Sequence, residues 1–227
     1  MTFSIIARCE RTGQFGMAVS SSSPAVASRC AFARAGVGVV ATQNITDPTL
    51  GPLGLELMER GASAKECIQI LVRKNQYTAY RQLSAIDCDG LTAQWSGAKT
   101  LGLYASVKDK NVACSGNMLA EASVPETMLE NFLVSGTKKE LGERLLLALA
   151  AGLADGGEAG PVYSAGLLVV DRNQWPLTDL RVDWAEHPIE RLTKIWNIWS
   201  PQMHDYTQRA LEPAYSPSYG VPGENIS

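Results

Sequence analysis

Histidine is almost missing from this chain of 227 residues: His187 and His204 are the only two. A Ser-His-Asp or Cys-His arrangement would have to be built on one of them. His187 precedes Pro188 at an expected helix start, and His204 lies close to the C-terminal tail, so a histidine-based triad is not the reading adopted. Cysteine is present but unorganised. Cys9, Cys30, Cys67, Cys88 and Cys114 are odd in number and scattered, with no CxxC pair, which argues against a redox motif or a zinc knuckle. Reduced thiols in a cytoplasmic protein fit best. No apolar run approaches a membrane span. The first residues lack a basic region followed by an apolar stretch, so a secretory leader is not expected. A net charge of −3 without a basic field argues against nucleic acid as a partner. The glycines of residues 152–160 follow neither the Walker spacing nor GxGxxG, so nucleotide binding is not expected. No cofactor is expected. Asp179, Asp183 and Glu186 near His187 suit a helix start. A metal-assisted site there stays an alternative, and no metal ligand is assigned.

What is present is an ordinary folding composition, 45% hydrophobic and 19% charged, long enough for one large domain or two small ones. Phe3, Ile5 and Ala7 alternate with Ser4 and Ile6 as in a strand. A turn at Arg11-Thr12-Gly13 leads into a second strand over residues 16–20. Residues 36–42 are apolar on both faces, as in a strand buried on both sides. A helix is expected over residues 50–60, ended by Gly61. Ser63-Ala64-Lys65-Glu66 reads as a capping box, with Ala64, Cys67, Ile68, Leu71 and Val72 forming one face behind it. Residues 83–88 and 91–95 flank Asp89-Gly90, a hairpin turn. Residues 103–107 and 111–115 form another strand pair. Ser123-Val124-Pro125-Glu126 opens a helix, and Thr137-Lys138-Lys139-Glu140 reads as a further capping box for the next, which Asp155-Gly156-Gly157 stops. A last strand pair covers residues 164–170 and 177–182, and Pro188 starts a helix with Ile189, Leu192, Ile195, Trp196 and Trp199 on its apolar stripe. No composition break divides the chain. One α+β domain over residues 1–205 is expected, followed by an extended Pro/Tyr-rich arm over 206–227. Hairpins imply antiparallel sheets, and helices in paired blocks would cover their faces. A sandwich of two sheets between two helical layers is one solution.

Thr2 carries the chemistry of most interest. Removal of Met1 would leave one residue bearing both a nucleophilic hydroxyl and a free α-amine to act as its base. Such an amine has a pKa of roughly 7.7–8.0, near working pH. Retention of Met1 would block the amine.

Several segments together resemble the bacterial family called domain of unknown function 1028 (DUF1028), placed in the N-terminal nucleophile (Ntn) hydrolase superfamily. They are Thr2-Phe3-Ser4-Ile5-Ile6-Ala7-Arg8; Ala33-Arg34-Ala35-Gly36-Val37-Gly38 continuing to Ala41-Thr42-Gln43; Gly51-Pro52-Leu53-Gly54-Leu55; Gly116-Asn117-Met118-Leu119-Ala120; Ser164-Ala165-Gly166-Leu167-Leu168-Val169-Val170; and Asp179-Leu180-Arg181-Val182-Asp183 with His187-Pro188. The resemblance covers about residues 2–195. It implies a four-layer αββα sandwich with antiparallel sheets and places Thr2 at the nucleophile position on the first strand. Two departures stand out. Ser115 occupies a position where the family usually has Gln, and Ala159-Gly160-Pro161-Val162-Tyr163 replaces a stretch that usually carries Arg-Gly and Gln. These imply a different substrate or a loss of activity.

The expected function is hydrolysis of a small amide or peptide-like C–N bond by Thr2. Asn117 and Asn44 are the oxyanion candidates, since each amide stands at a strand end. Ser22, Ser23, Gln43 and Ser115 are the substrate-binding candidates. Turn chemistry is the competing explanation for Ser22, Ser23, Gln43, Asn44 and Asn117. Arg29 or Arg34 could supply a nearby cation. Arg8 is excluded, being about 20 Å from Thr2 along one strand. The alternative is a catalytically inactive binding or scaffolding protein on the same fold. The expected partners are a small-molecule amide or peptide substrate and further copies of the chain in a homo-oligomer, the latter suggested by Trp196, Trp199 and the arm.

Overall fold

In the first strand Phe3, Ile5 and Ala7 point to one side, and Thr2, Ser4 and Ile6 to the other. Both sides are buried, so the strand needs a partner layer on each face. The computed structural model describes residues 2–224; Met1 and residues 225–227 lie outside them. In chain order the elements are β1 (Thr2–Arg8), β2 (Phe15–Ser21), α1 (Ala27–Cys30), β3 (Ala31–Arg34), β4 (Gly38–Asn44), α2 (Leu50–Glu59) and α3 (Ala64–Lys74). There follow β5 (Arg81–Asp87), β6 (Thr92–Ser96), β7 (Ala105–Asp109), β8 (Val112–Asn117), α4 (Val124–Val134) and α5 (Leu141–Ala154). The chain closes with β9 (Ser164–Val170), β10 (Thr178–Val182), α6 (Pro188–Trp199) and α7 (Met203–Leu211).

The strands form two sheets, one in the order β10-β9-β2-β1-β8-β7 and one in the order β3-β4-β5-β6. Every pairing among the described residues is antiparallel. Helices α4, α5 and α6 cover the outer face of the larger sheet, and α2 and α3 that of the smaller. The inner faces meet through β1, β2 and β8 against β4 and β5. The result is the four-layer αββα sandwich. Three apolar clusters occupy the three interfaces between layers.

Local sequence accounts for much of this. Ser63 caps α3 as expected: its hydroxyl accepts from the Glu66 amide, and the Glu66 carboxylate accepts from the Ser63 amide. Pro188 opens α6, whose Trp196 ring packs against Gly142 of α5, where a Cβ would collide with it. The expected capping box at Thr137–Glu140 does not form. Helix α5 begins at Leu141, with Glu140 as an N-cap that makes no side-chain bond. Ser123 does stand at the N-cap of α4, but its hydroxyl donates to the Asp155 carboxylate instead of closing a box with Glu126. The pattern was satisfied in sequence while a tertiary partner claimed the hydroxyl. Residues 206–211, expected to be extended, complete α7. In the tail the Arg209 guanidinium lies over the rings of Tyr206 and Tyr219, and Trp199 packs on Tyr206. Trp196 and Trp199 therefore find contacts within the chain.

Candidate functional site

The space between the sheets is divided along its length. At one end Ile6, Met17, Val19, Val39, Ala41, Ile86 and Ala113 meet as an apolar cluster. At the other end the same alternation brings polar side chains inward. Thr2 and Ser4 follow from Ile6 on β1, Ser21 from Val19 on β2, and Gln43 from Ala41 on β4. Ser84 and Gln82 follow from Ile86 on β5, and Ser115 and Asn117 from Ala113 on β8. All eight are buried. Such groups persist in an interior only when hydrogen bonded, and they bond chiefly to one another.

Gln82 is the centre of this network. Its Oε1 accepts from Gln43 Nε2 at 2.8 Å and from Asn117 Nδ2 at 3.1 Å. Its Nε2 donates to Ser96 Oγ and to the Gly116 carbonyl, each at 3.1 Å. Gln43 is used at both ends, because its Oε1 accepts from Ser4 Oγ at 2.7 Å. Ser115 Oγ accepts from Gln43 Nε2 at 3.4 Å and shares a bond with Ser84 Oγ at 3.3 Å. The network clamps β1 and β8 of one sheet to β4 and β5 of the other.

Thr2 lies at the margin of this network, 5% exposed. It is paired with Asn117 across the β1–β8 ladder. On its other side its Oγ1 is 3.5 Å from Ser21 Oγ, at the outer limit of a hydrogen bond. Ser21 Oγ in turn shares a 2.7 Å bond with Ser23 Oγ and accepts from the Ser23 amide. The Arg29 guanidinium donates to Ser23 Oγ and to the carbonyls of Pro24 and Ala25. A line of hydroxyls thus leads from Thr2 to a cation. Asn117 is fully buried, and its Oδ1 accepts no bond from the described residues. One of its two amide hydrogens goes to Gln82.

Glu158, 4% exposed, closes this end of the sandwich. Both of its carboxylate oxygens accept from the Ser22 amide, at 3.1 and 3.2 Å. Its backbone forms an isolated antiparallel bridge with Leu119, just beyond β8. Gly157, at φ 58°, makes the turn that brings it there and packs close to the Phe3 ring. Burial pushes the Glu158 carboxyl up to about 7, against the opposing pull of the chain's amino-terminal charge and of the Ser22 hydrogen bonds.

The candidates read from sequence therefore divide. Thr2, Asn117, Gln43 and Ser115 are brought together between the sheets. Ser23 joins through Ser21, and Ser22 through its amide on Glu158. Asn44 faces away from Thr2's partners: its Nδ2 donates to the Tyr80 carbonyl, and its Oδ1 accepts from the Leu101 amide. Of the arginines, Arg29 approaches, whereas Arg34 pairs with Glu59 and Arg8 bonds Asn111 at the far end of β1. Asp179 is engaged by Arg181. No group of three or more His, Cys, Asp or Glu among the described residues could hold a metal ion. Burial makes the Cys67 and Cys114 thiols poor nucleophiles, pushing Cys67 up to about 12 and Cys114 well above its ordinary value. Ser21, Gln82, Ser84 and Glu158 are not among the residues singled out from sequence. Period-two alternation signals the first three, since each extends an inward-facing apolar series. Nothing local signals Glu158.

The family model described as Family of unknown function (DUF1028) matches residues 2–192. The chain belongs to this family. A crystal structure of a DUF1028 protein from Silicibacter pomeroyi is similar to it, with 27% identity and a TM-score of 0.84 over 92% of this chain and 94% of that one. Anbu (ancestral beta-subunit) from Yersinia bercovieri is a more distant match, at 11% identity and a TM-score of 0.38, over 90% of this chain and 97% of that one. A Gly-1 mutant of Anbu from Hyphomicrobium sp. strain MC1 matches at 13% identity and a TM-score of 0.39, over 97% and 100% of the two chains. No curated protein matches. Among the described residues, no helix of this DUF1028 chain is long and apolar enough to cross a membrane.

Proposed function

We propose that this DUF1028 protein is an Ntn-type hydrolase of a small amide or peptide-like bond, with Thr2 as nucleophile once Met1 is removed. The observation that carries this reading is the position of Thr2. It is the first residue of a central strand, turned inward between two sheets, with Asn117 on one flank and Ser21 on the other. In the reaction the Thr2 oxygen attacks the carbonyl carbon and its proton passes to the Thr2 α-amine. The second Asn117 amide hydrogen is the donor available to a developing oxyanion. The amine returns the proton to the leaving nitrogen as the C–N bond breaks, and water then hydrolyses the acyl ester. Gln43 and Ser115 hold the strands in place and are second to Ser21 and Ser23 in their claim on substrate. Met1, whose removal frees the amine, lies outside the described residues.

A second reading is a non-catalytic binding or scaffolding role on the same fold. It is favoured by the low exposure of Thr2 and by the mutual pairing of the polar groups around it. A screen of amide and peptide substrates, run on wild type and Thr2→Ala, separates the two. Turnover that disappears in the variant supports the hydrolase. Turnover that survives in a folded variant removes Thr2 as nucleophile. We also propose a homo-oligomer that uses the tail, where Tyr215 and Val221 are exposed. Deletion of residues 206–227 then lowers the mass seen by light scattering, and an unchanged mass refutes it.

A further inference from the structure

Glu158 has no task in the reaction just described, yet it is a deeply buried carboxylate beside the nucleophile. Strand β1 runs between β2 and β8, so Thr2 has Ser21 on one side and Asn117 on the other. Just beyond these neighbours the flanking strands continue to Ser22 and to Leu119. Glu158 is attached to both, through two carboxylate contacts to the Ser22 amide and a backbone bridge to Leu119. It therefore spans the open end of β1, where the backbone nitrogen of Thr2 becomes an α-amine when Met1 is removed.

A buried carboxylate whose hydrogen bonds among the described residues come from Ser22 alone is under-compensated and calls for a cation. Among the described residues no lysine or arginine forms a salt bridge with Glu158. Arg29 of α1, the nearest candidate through Ser23, is committed to Ser23 and two carbonyls. Two further charged groups among the described residues at this end are acidic. Asp155 accepts from Ser123 and Thr127, and Glu121 lies beside Gly156. The cation left for Glu158 is the amine at the start of β1.

We infer that Glu158 is the counter-ion and proton partner of the Thr2 α-amine, a positioning residue that orients the ammonium and takes its proton when the amine must act as base. The inference rests on the hydrolase reading for its purpose. One proton moves from the ammonium nitrogen to a Glu158 oxygen. The freed lone pair then takes the Thr2 hydroxyl proton as that oxygen attacks a carbonyl carbon. No other reactant is required.

The test uses full-length protein released from a cleavable fusion so that Thr2 is the first residue. The amine is titrated by competitive acylation, with the N-terminal peptide read by mass spectrometry. Glu158→Gln keeps an acceptor for the Ser22 amide but removes the charge. The amine pKa is expected to fall by about one unit, a tenfold change in its proton equilibrium. An unchanged amine pKa in the folded variant overturns the inference. If the variant does not fold, the wild-type Glu158 carboxyl is titrated by carbon NMR with the Thr2 amine free and then acetylated. Acetylation should raise the Glu158 pKa, and an unmoved titration overturns the pairing. Neither measurement depends on turnover. Absence of amide hydrolysis would therefore defeat the hydrolase reading while leaving the ion pair to stand or fall separately.

Discussion

The two ends of the inter-sheet space are built by the same strands in the same register, yet they do different work. One end is closed by Ile6, Met17, Val19, Val39 and Ile86, whose burial is non-directional and favourable in itself. The other is closed by Gln43, Gln82, Ser115 and Asn117, which contribute only while each donor and acceptor stays matched. The apolar end holds the sheets together. The polar end fixes their relative position, and the first residue of β1 emerges there. A fold that needed only stability would extend the apolar series along the whole of β1, β4 and β5.

Substitutions can break this contrast. The largest effect is expected at the polar margin on activity: Thr2→Ala should lower turnover by at least about 10³-fold, while thermal unfolding shows a change within about 1 kcal/mol. At the apolar end Ile86→Ala should cost about 2–5 kcal/mol by leaving a cavity, seen as a lower denaturation midpoint. Its effect on turnover should follow the loss of folded protein alone. Gln82→Leu should cost about 2–3 kcal/mol, because Asn117 Nδ2 and the Gly116 carbonyl lose this partner together and Gln43 Nε2 keeps only its longer bond to Ser115. Unlike Ile86→Ala, it should also lower turnover per folded molecule by releasing Asn117.

Glu158 sharpens the contrast through pH. Its folded pKa of about 7 lies above the ordinary 4.5. Between those values the unfolded chain gives up the proton first, so the native state binds more protons there. Its contribution to stability is therefore full below about pH 4.5, falls as pH rises toward 7, and stays lost above. Glu158→Gln should remove that slope and gain about 3 kcal/mol at pH 8 relative to wild type. Denaturant melts at pH 4 and pH 8 check it; a difference that does not change with pH would contradict it. The smallest expected effect is the control at a distance. Ser63→Ala removes the α3 cap and should cost about 1 kcal/mol, with turnover per folded molecule unchanged.

Most of the fold was legible because it is written in local periodicity. The alternation in β1, the hairpin at Asp89-Gly90 and the Ser63–Glu66 cap each depend on residues a few positions apart. The errors arose where tertiary contacts compete with local ones. Ser123 turned to Asp155, and Glu140 capped α5 without a box. The short strand β3 went unrecognised because it carries little pattern of its own and is held by β4. Single members of the candidate site, Thr2, Gln43, Ser115 and Asn117, can be picked out of the sequence, but their connectivity cannot. Gln82, the hub, and Glu158, the lid of β1, are 80 and more residues from Thr2 in sequence. Only sheet order brings them close.

The central claim is that Thr2 is an N-terminal nucleophile. The most direct test is intact-mass analysis of untagged protein from its own cell, before and after exposure to an acylating β-lactone. The expected result is a mature chain that starts at Thr2 and gains one acyl adduct on that residue, lost in Thr2→Ala. A chain that keeps Met1 throughout, or an adduct that persists in Thr2→Ala, would contradict it.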